Sequence, residues 1–107
     1  PTLFPYTTLF RSPYDKVFRY GGEEFLLCMP YTEMAQGQDR ITGLAQGIAA
    51  LDIDIGENAP VHVTASFGLT LLDPDIPVEA SIDRADKALY AAKAAGRNCV
   101  RMWDATM

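Results

Sequence analysis

The chain has 107 residues, 49% of them hydrophobic, and a formal net charge of −5. That is enough for one domain with a packed core, and it argues against intrinsic disorder. The acidic balance argues against general binding to a nucleic-acid polymer, which depends on neutralising phosphates with Lys and Arg. It leaves room for a small phosphorylated ligand held by a local pair of cations.

In chain order, the opening "PTLFPYTTLFRS", residues 1–12, fits neither a helical nor a strand period and holds two prolines and two TLF units. It reads as a translated sequencing adapter, so native sequence is expected from Pro13. Residues 16–20 and 23–29 are strand-like, and Gly21-Gly22 between them suggests a two-residue hairpin turn, because glycine tolerates positive φ. The second strand is apolar on both faces, which suits a sheet covered on both sides. Residues 33–51 carry Ile41, Leu44, Ile48 and Leu51 at helical spacing. Residues 61–72 alternate as a strand, with Gly68 as a bulge or a point of close approach. Residues 78–95 form the clearest helix, with Val78, Ile82, Ala85, Leu89 and Ala92 on one stripe and Gly96 placed for a left-handed C-terminal residue. Residues 98–103 are a last short strand, and 104–107 a tail. The order ββαβαβ predicts an α/β (α+β) domain on a mixed or antiparallel sheet.

Cys28 and Cys99 lack zinc-ligand spacing and read as small core thiols of a reduced, cytoplasmic-type protein. No stretch is apolar and long enough to span a membrane, and no signal peptide opens the chain. His62 stands alone and reads as structural. Phe25, Phe67 and Tyr90 read as core.

Two places could carry chemistry. Glu23 and Glu24 follow the two glycines. Neighbouring strand residues point to opposite faces, so one acid is expected to face a ligand while the other supports it. A carboxylate beside glycines suits an Mg²⁺ ion bridging phosphate oxygens. The competing reading is an ordinary hairpin with solvated acids. Lys93 and Arg97, four residues apart, would share one helical strip with Asp86 and Tyr90 and could grip a triphosphate. The competing reading is two cations complementing the helix dipole.

"RYGGEEF" (19–25), "VTASFGLTLL" (63–72) and "RADKALYAAKAAGRN" (84–98) together resemble, in order and spacing, the C-terminal half of a GGDEF domain, the diguanylate cyclase family. The resemblance covers residues 13–103 and outweighs both competing readings. It implies a palm-like domain that works as a homodimer, each copy holding one GTP with Mg²⁺ or Mn²⁺, and that joins two GTP into cyclic di-GMP with release of pyrophosphate. It implies that Glu23 ligates metal and helps deprotonate the 3′-hydroxyl. It implies that Gly21 and Gly22 lie against the nucleotide, that Glu24 supports, and that Lys93 and Arg97 contact terminal phosphates. The family's first-strand metal-binding Asp and its guanine-reading residues would lie upstream of Pro13. Asp15 falls at the Asp of the family's inhibitory RxxD site, whose Arg position falls on Ser12. A non-catalytic GGDEF module that binds GTP or cyclic di-GMP is the alternative. An upstream sensor or regulatory domain is expected in the parent protein, and the fragment alone is expected to fold poorly and to be inactive.

Overall fold

The computed structural model describes residues 14–107. The expected leader and the position of Ser12 lie outside the described residues. The chain divides into two compact units, one ending at Gly37 and the other running from Gln38 to Met107.

In the first unit, β1 (Lys16–Arg19) pairs antiparallel with β2 (Phe25–Cys28), from Lys16 opposite Cys28 to Arg19 opposite Phe25. The link is therefore residues 20–24 rather than the expected two-residue turn. A two-residue hairpin turn of the favoured kind needs positive φ in its centre, and neither Gly21 nor Gly22 has it. Instead the Tyr20 N–H (2.9 Å) and the Gly21 N–H (3.3 Å) both donate to the Glu24 carbonyl and close a wider loop. At the other end of the hairpin, Tyr14 and Tyr31 meet edge to face with ring centroids 5.5 Å apart.

This hairpin is thinly covered. All of β1 is exposed, and in β2 only Leu26 and Leu27 are half-buried. The expectation of a sheet covered on both sides fails for the described residues, since two strands alone supply no second layer. Phe25 is 62% exposed, and Cys28 is exposed rather than a core thiol.

Helix α1 (Met34–Ala49) starts where the Gln36 side chain accepts the Glu33 N–H at 3.2 Å, the returning half of a capping box. Ile41, Ala45 and Ile48 are its buried stripe. Leu51, expected within the helix, lies past its end, where its N–H bonds the Ile48 carbonyl at 3.1 Å in a tightened final turn.

The second unit is built around β3 (Phe67–Leu69), α2 (Val78–Ala94) and β4 (Val100–Met102). The two strands run parallel, Phe67 opposite Val100 and Leu69 opposite Met102. Flanking bonds from Phe67 N–H to Cys99 C=O (3.0 Å) and from Trp103 N–H to Leu69 C=O (2.8 Å) extend the pairing. Parallel neighbours require a crossover, and α2 supplies it. Of the long strand expected over residues 61–72, only Phe67–Leu69 is paired in a ladder. Further back, Val61 makes an isolated bridge to Ile53. A period-2 pattern becomes a strand only where a neighbour accepts its hydrogen bonds, and residues 62–66 have none among the described residues.

Gly68 is the close approach that the sequence suggests. A Cβ there would overlap the Ala85 carbonyl oxygen and the Leu89 nitrogen, with the Leu89 Cα at 2.8 Å. The backbone of α2 therefore lies directly on β3. Only small side chains fit that contact, and Ser81, Ala88 and Ala92 are the buried residues of α2. Ile82, Ala85 and Leu89 of the expected stripe are half-buried beside them, and Val78 is 56% exposed. The stripe is thus rotated from the large residues toward the small ones.

Helix α2 ends in a Schellman motif. The Gly96 N–H bonds the Lys93 carbonyl (3.3 Å) and the Arg97 N–H bonds the Ala92 carbonyl (3.0 Å), with Gly96 at φ +114°. Near the helix start, the Asp73 N–H donates to Ser81 Oγ (3.1 Å) and the Asp73 carboxylate accepts from Arg84 (3.3 Å). The Arg84 guanidinium also lies 4.4 Å over the Trp103 ring, a cation–π contact. The result, among the described residues, is a mixed α+β architecture with two helices and two small sheets. No helix among the described residues is long and apolar enough to cross a membrane.

Candidate functional site

The hairpin loop brings Gly21, Gly22, Glu23 and Glu24 together. Strand β2 begins only at Phe25, so both acids precede it. The strand alternation used to separate their directions does not apply to them. Glu23 is exposed and Glu24 half-buried, and among the described residues neither forms an ion pair.

Nothing among the described residues explains the two glycines. Neither has positive φ. Among the described residues a Cβ on Gly22 would meet nothing within 4 Å, and one on Gly21 would make only an ordinary 3.9 Å contact with the Glu24 side chain. By contrast, Gly68 is required by packing and Gly96 by its φ. Glycine at 21 and 22 leaves a smooth, open flank beside the Glu23 carboxylate, where another molecule can approach the backbone.

Sequence reasoning missed Arg19. Its Nη2 donates to the Gly22 carbonyl at 2.9 Å, and its Nε reaches the Gly21 carbonyl at 3.5 Å. The available signal was a long, multiply donating side chain just before a Gly-Gly loop whose carbonyls have no ladder partner.

Lys93 and Arg97 both lie near the end of α2, but not on one helical strip as expected. The helix stops at Ala94, and Arg97 has φ +62°. It therefore leaves the helical wheel and shares no strip with Asp86 and Tyr90. Both of these are exposed, and Tyr90, at 76%, is not core. Lys93 is half-buried in the last turn, and Arg97 is exposed. The backbone under Arg97 is fixed by the Schellman bonds and by the Asn98 N–H, which donates to Ser66 Oγ at 3.0 Å. Two cations are thus held at the negative end of a helix, and neither is in an ion pair among the described residues.

Other expected positions fall elsewhere. Asp15 is buried, at 8% exposure. His62 is not alone, since its Nε2 lies 2.6 Å from Asp52 Oδ1, next to the Ile53–Val61 bridge. Phe67 and Cys99 are half-buried, and the Cys99 thiol donates to the Ala92 carbonyl at 3.3 Å. A groove of about 600 Å³ between α1 and the start of β4, lined by Thr42, Ala45, Gln46, Ala49, Cys99 and Val100, includes none of the expected site residues.

Comparison with known proteins gives one answer. The family described as "Diguanylate cyclase, GGDEF domain" matches residues 7–99. The diguanylate cyclase DgcP of Pseudomonas aeruginosa is 38% identical over 84 residues, covering 78% of this chain and 12% of that protein. The structure is similar to the GGDEF domain of DgcB from Caulobacter crescentus, solved in complex with c-di-GMP: TM-score 0.78, 27% identity, 85% of this chain and 54% of that one. It is also similar to the diguanylate cyclase SiaD from Pseudomonas aeruginosa, solved in complex with its activator SiaC: TM-score 0.81, 32% identity, 90% of this chain and 36% of that one. The chain therefore spans about half or less of each relative's length.

Proposed function

The chain belongs to the GGDEF diguanylate cyclase family, and on that premise we propose that the protein carrying it condenses two GTP into cyclic di-GMP and pyrophosphate. The observation that carries this reading is the loop of residues 20–24. It holds an exposed carboxylate with no ion pair among the described residues, beside glycines that neither φ nor packing against those residues demands.

In this reading the 3′-hydroxyl oxygen of one GTP forms a bond to the α-phosphorus of the other. The bond from that phosphorus to the pyrophosphate oxygen breaks, and the hydroxyl proton leaves to a base. The same exchange in the opposite direction closes the ring. Glu23 accepts or orients that proton, as its exposed carboxylate allows. Gly21 and Gly22 let the nucleotide lie against the backbone, and Glu24 supports the loop from its half-buried position. Lys93, as a point charge, and Arg97, as a planar fork, neutralise the leaving phosphates. Two GTP facing each other require two copies of the domain, so the active species is a homodimer.

The donors fit a hard divalent cation such as Mg²⁺ or Mn²⁺. Such an ion takes one or two carboxylates and completes its shell with water and substrate phosphates, and the loop offers Glu23 with Glu24 adjacent. Among the described residues there is no cluster of three or more ligating side chains, so the substrate would have to supply part of the shell. Bound there, the ion would offset charge on the reacting phosphate oxygens.

The test is cyclic di-GMP formation from GTP and Mg²⁺ by the full-length protein. Glu23→Gln is expected to lower turnover by at least ~100-fold, the scale on which general acid–base groups act, with the unfolding midpoint unchanged. Turnover unaffected by that change would remove Glu23 from the chemistry. The chain in isolation is proposed to be inactive, since it leaves Phe18, Phe25 and Leu72 more than half exposed. Cyclic di-GMP made by the purified 107-residue chain would refute that.

A further inference from the structure

The loop's shape is not set by its glycines, neither of which has positive φ or a tight contact among the described residues. It is set by hydrogen bonds, and those of Arg19 have a directional consequence. In a planar trans peptide the C=O and the N–H point in opposite directions, and the chain has no cis peptide among its described residues. Arg19 draws the Gly21 and Gly22 carbonyls toward one guanidinium, at 3.5 and 2.9 Å. The N–H groups in those same two peptides belong to Gly22 and Glu23, and they are turned to the opposite side. Among the described residues neither of these N–H groups has an acceptor. Successive N–H groups left without acceptors in a turn are donors available to an anionic oxygen.

We propose that Arg19 is a positioning residue, which clamps the two glycine carbonyls so that the Gly22 and Glu23 N–H groups face a nucleotide phosphate and the Glu23 carboxylate is held beside it. The proposal deepens the nucleotide-condensing reading and rests on it. Arginine suits the task because its fork reaches two acceptors at once, whereas a lysine ammonium acts as a single point. Its charge sits under a loop that carries two acids. Arg19 itself touches neither substrate nor metal in this account.

The test uses the full-length protein with Arg19→Ala and Arg19→Lys. It measures kcat and KM for GTP, the unfolding midpoint, and amide hydrogen exchange across residues 17–26. Arg19→Ala is expected to lower kcat by roughly 10- to 100-fold, the range for losing a group that orients a ligand. KM and the unfolding midpoint should move little, because Arg19 is exposed. Exchange at Tyr20 and Gly21 should speed up as the loop loosens. Arg19→Lys should restore only a minor part of kcat. Wild-type kcat and exchange in Arg19→Ala would overturn the proposal, and so would full rescue by lysine, which would leave charge alone as the requirement. If the wild-type protein makes no cyclic di-GMP, the functional reading fails. The exchange comparison then still decides the clamp: faster exchange in both variants supports it, and unchanged exchange overturns it. Should Arg19→Ala not fold, Arg19→Lys carries the same readouts.

Discussion

Gly22 and Gly68 mark two regions built on different terms. Around Gly68 the α2 backbone lies on β3, the facing side chains are small, and a single added methyl has nowhere to go. Around Gly22 there is open space, ordinary φ, and a loop held by its own hydrogen bonds. Packing demands the one glycine, and nothing among the described residues demands the other. The packed βαβ unit carries Lys93 and Arg97, and the lightly covered hairpin carries Glu23.

Substitutions can break or sharpen this contrast. The largest effect is expected at Gly68→Ala. The obstructing atoms are helix backbone and cannot rotate aside, so the loss should reach about 3 kcal/mol, the upper part of the range for overpacking. Urea unfolding of the full-length protein would measure it. Gly96→Ala should cost about 1–2 kcal/mol, because a side chain at positive φ clashes with its own backbone. A lower thermal midpoint would report it. Arg84→Ala removes both the partner of Asp73 and the contact with Trp103, and about 1 kcal/mol is expected for two partly exposed interactions of this kind.

The smallest effect is expected at Asp104→Asn. Asp104 accepts the Thr106 hydroxyl and the Thr106 N–H, at 2.8 Å for the latter, and these bonds lower its pKa below the ordinary 3.8. A depressed acid favours the folded state above its unfolded pKa and loses that contribution as the pH falls through the folded value. Any difference between wild type and Asp104→Asn should therefore be confined to neutral and mildly acidic pH and vanish in strong acid. A pH series of unfolding midpoints would check this.

Much of the βαβ unit could be read from the residues because its signals are local. The α2 periodicity, the left-handed Gly96 and the close approach at Gly68 each depend on a few neighbouring positions. What escaped depends on distant partners. The burial of Phe25 and Tyr90 depends on what covers them, and among the described residues both are exposed. The width of the Gly-Gly loop depends on register, which is set by Arg19 opposite Phe25 rather than by the glycines. The helical strip joining Lys93 to Arg97 ignored the Schellman turn, although the glycine that creates it was in view. Of the candidate site, the acids, glycines and cations were legible from spacing and resemblance. The clamp by Arg19 was not, because it rests on carbonyl directions that no residue pattern displays.

The most direct measurement is turnover of GTP to cyclic di-GMP by full-length Gly22→Ala protein, set beside its unfolding midpoint. A methyl there meets nothing among the described residues, so stability should stay within about 0.5 kcal/mol of wild type, as for surface changes away from special features. Turnover should nevertheless collapse as the methyl intrudes on the nucleotide. Wild-type turnover would contradict the account, because the open flank beside Glu23 would then not be where substrate lies.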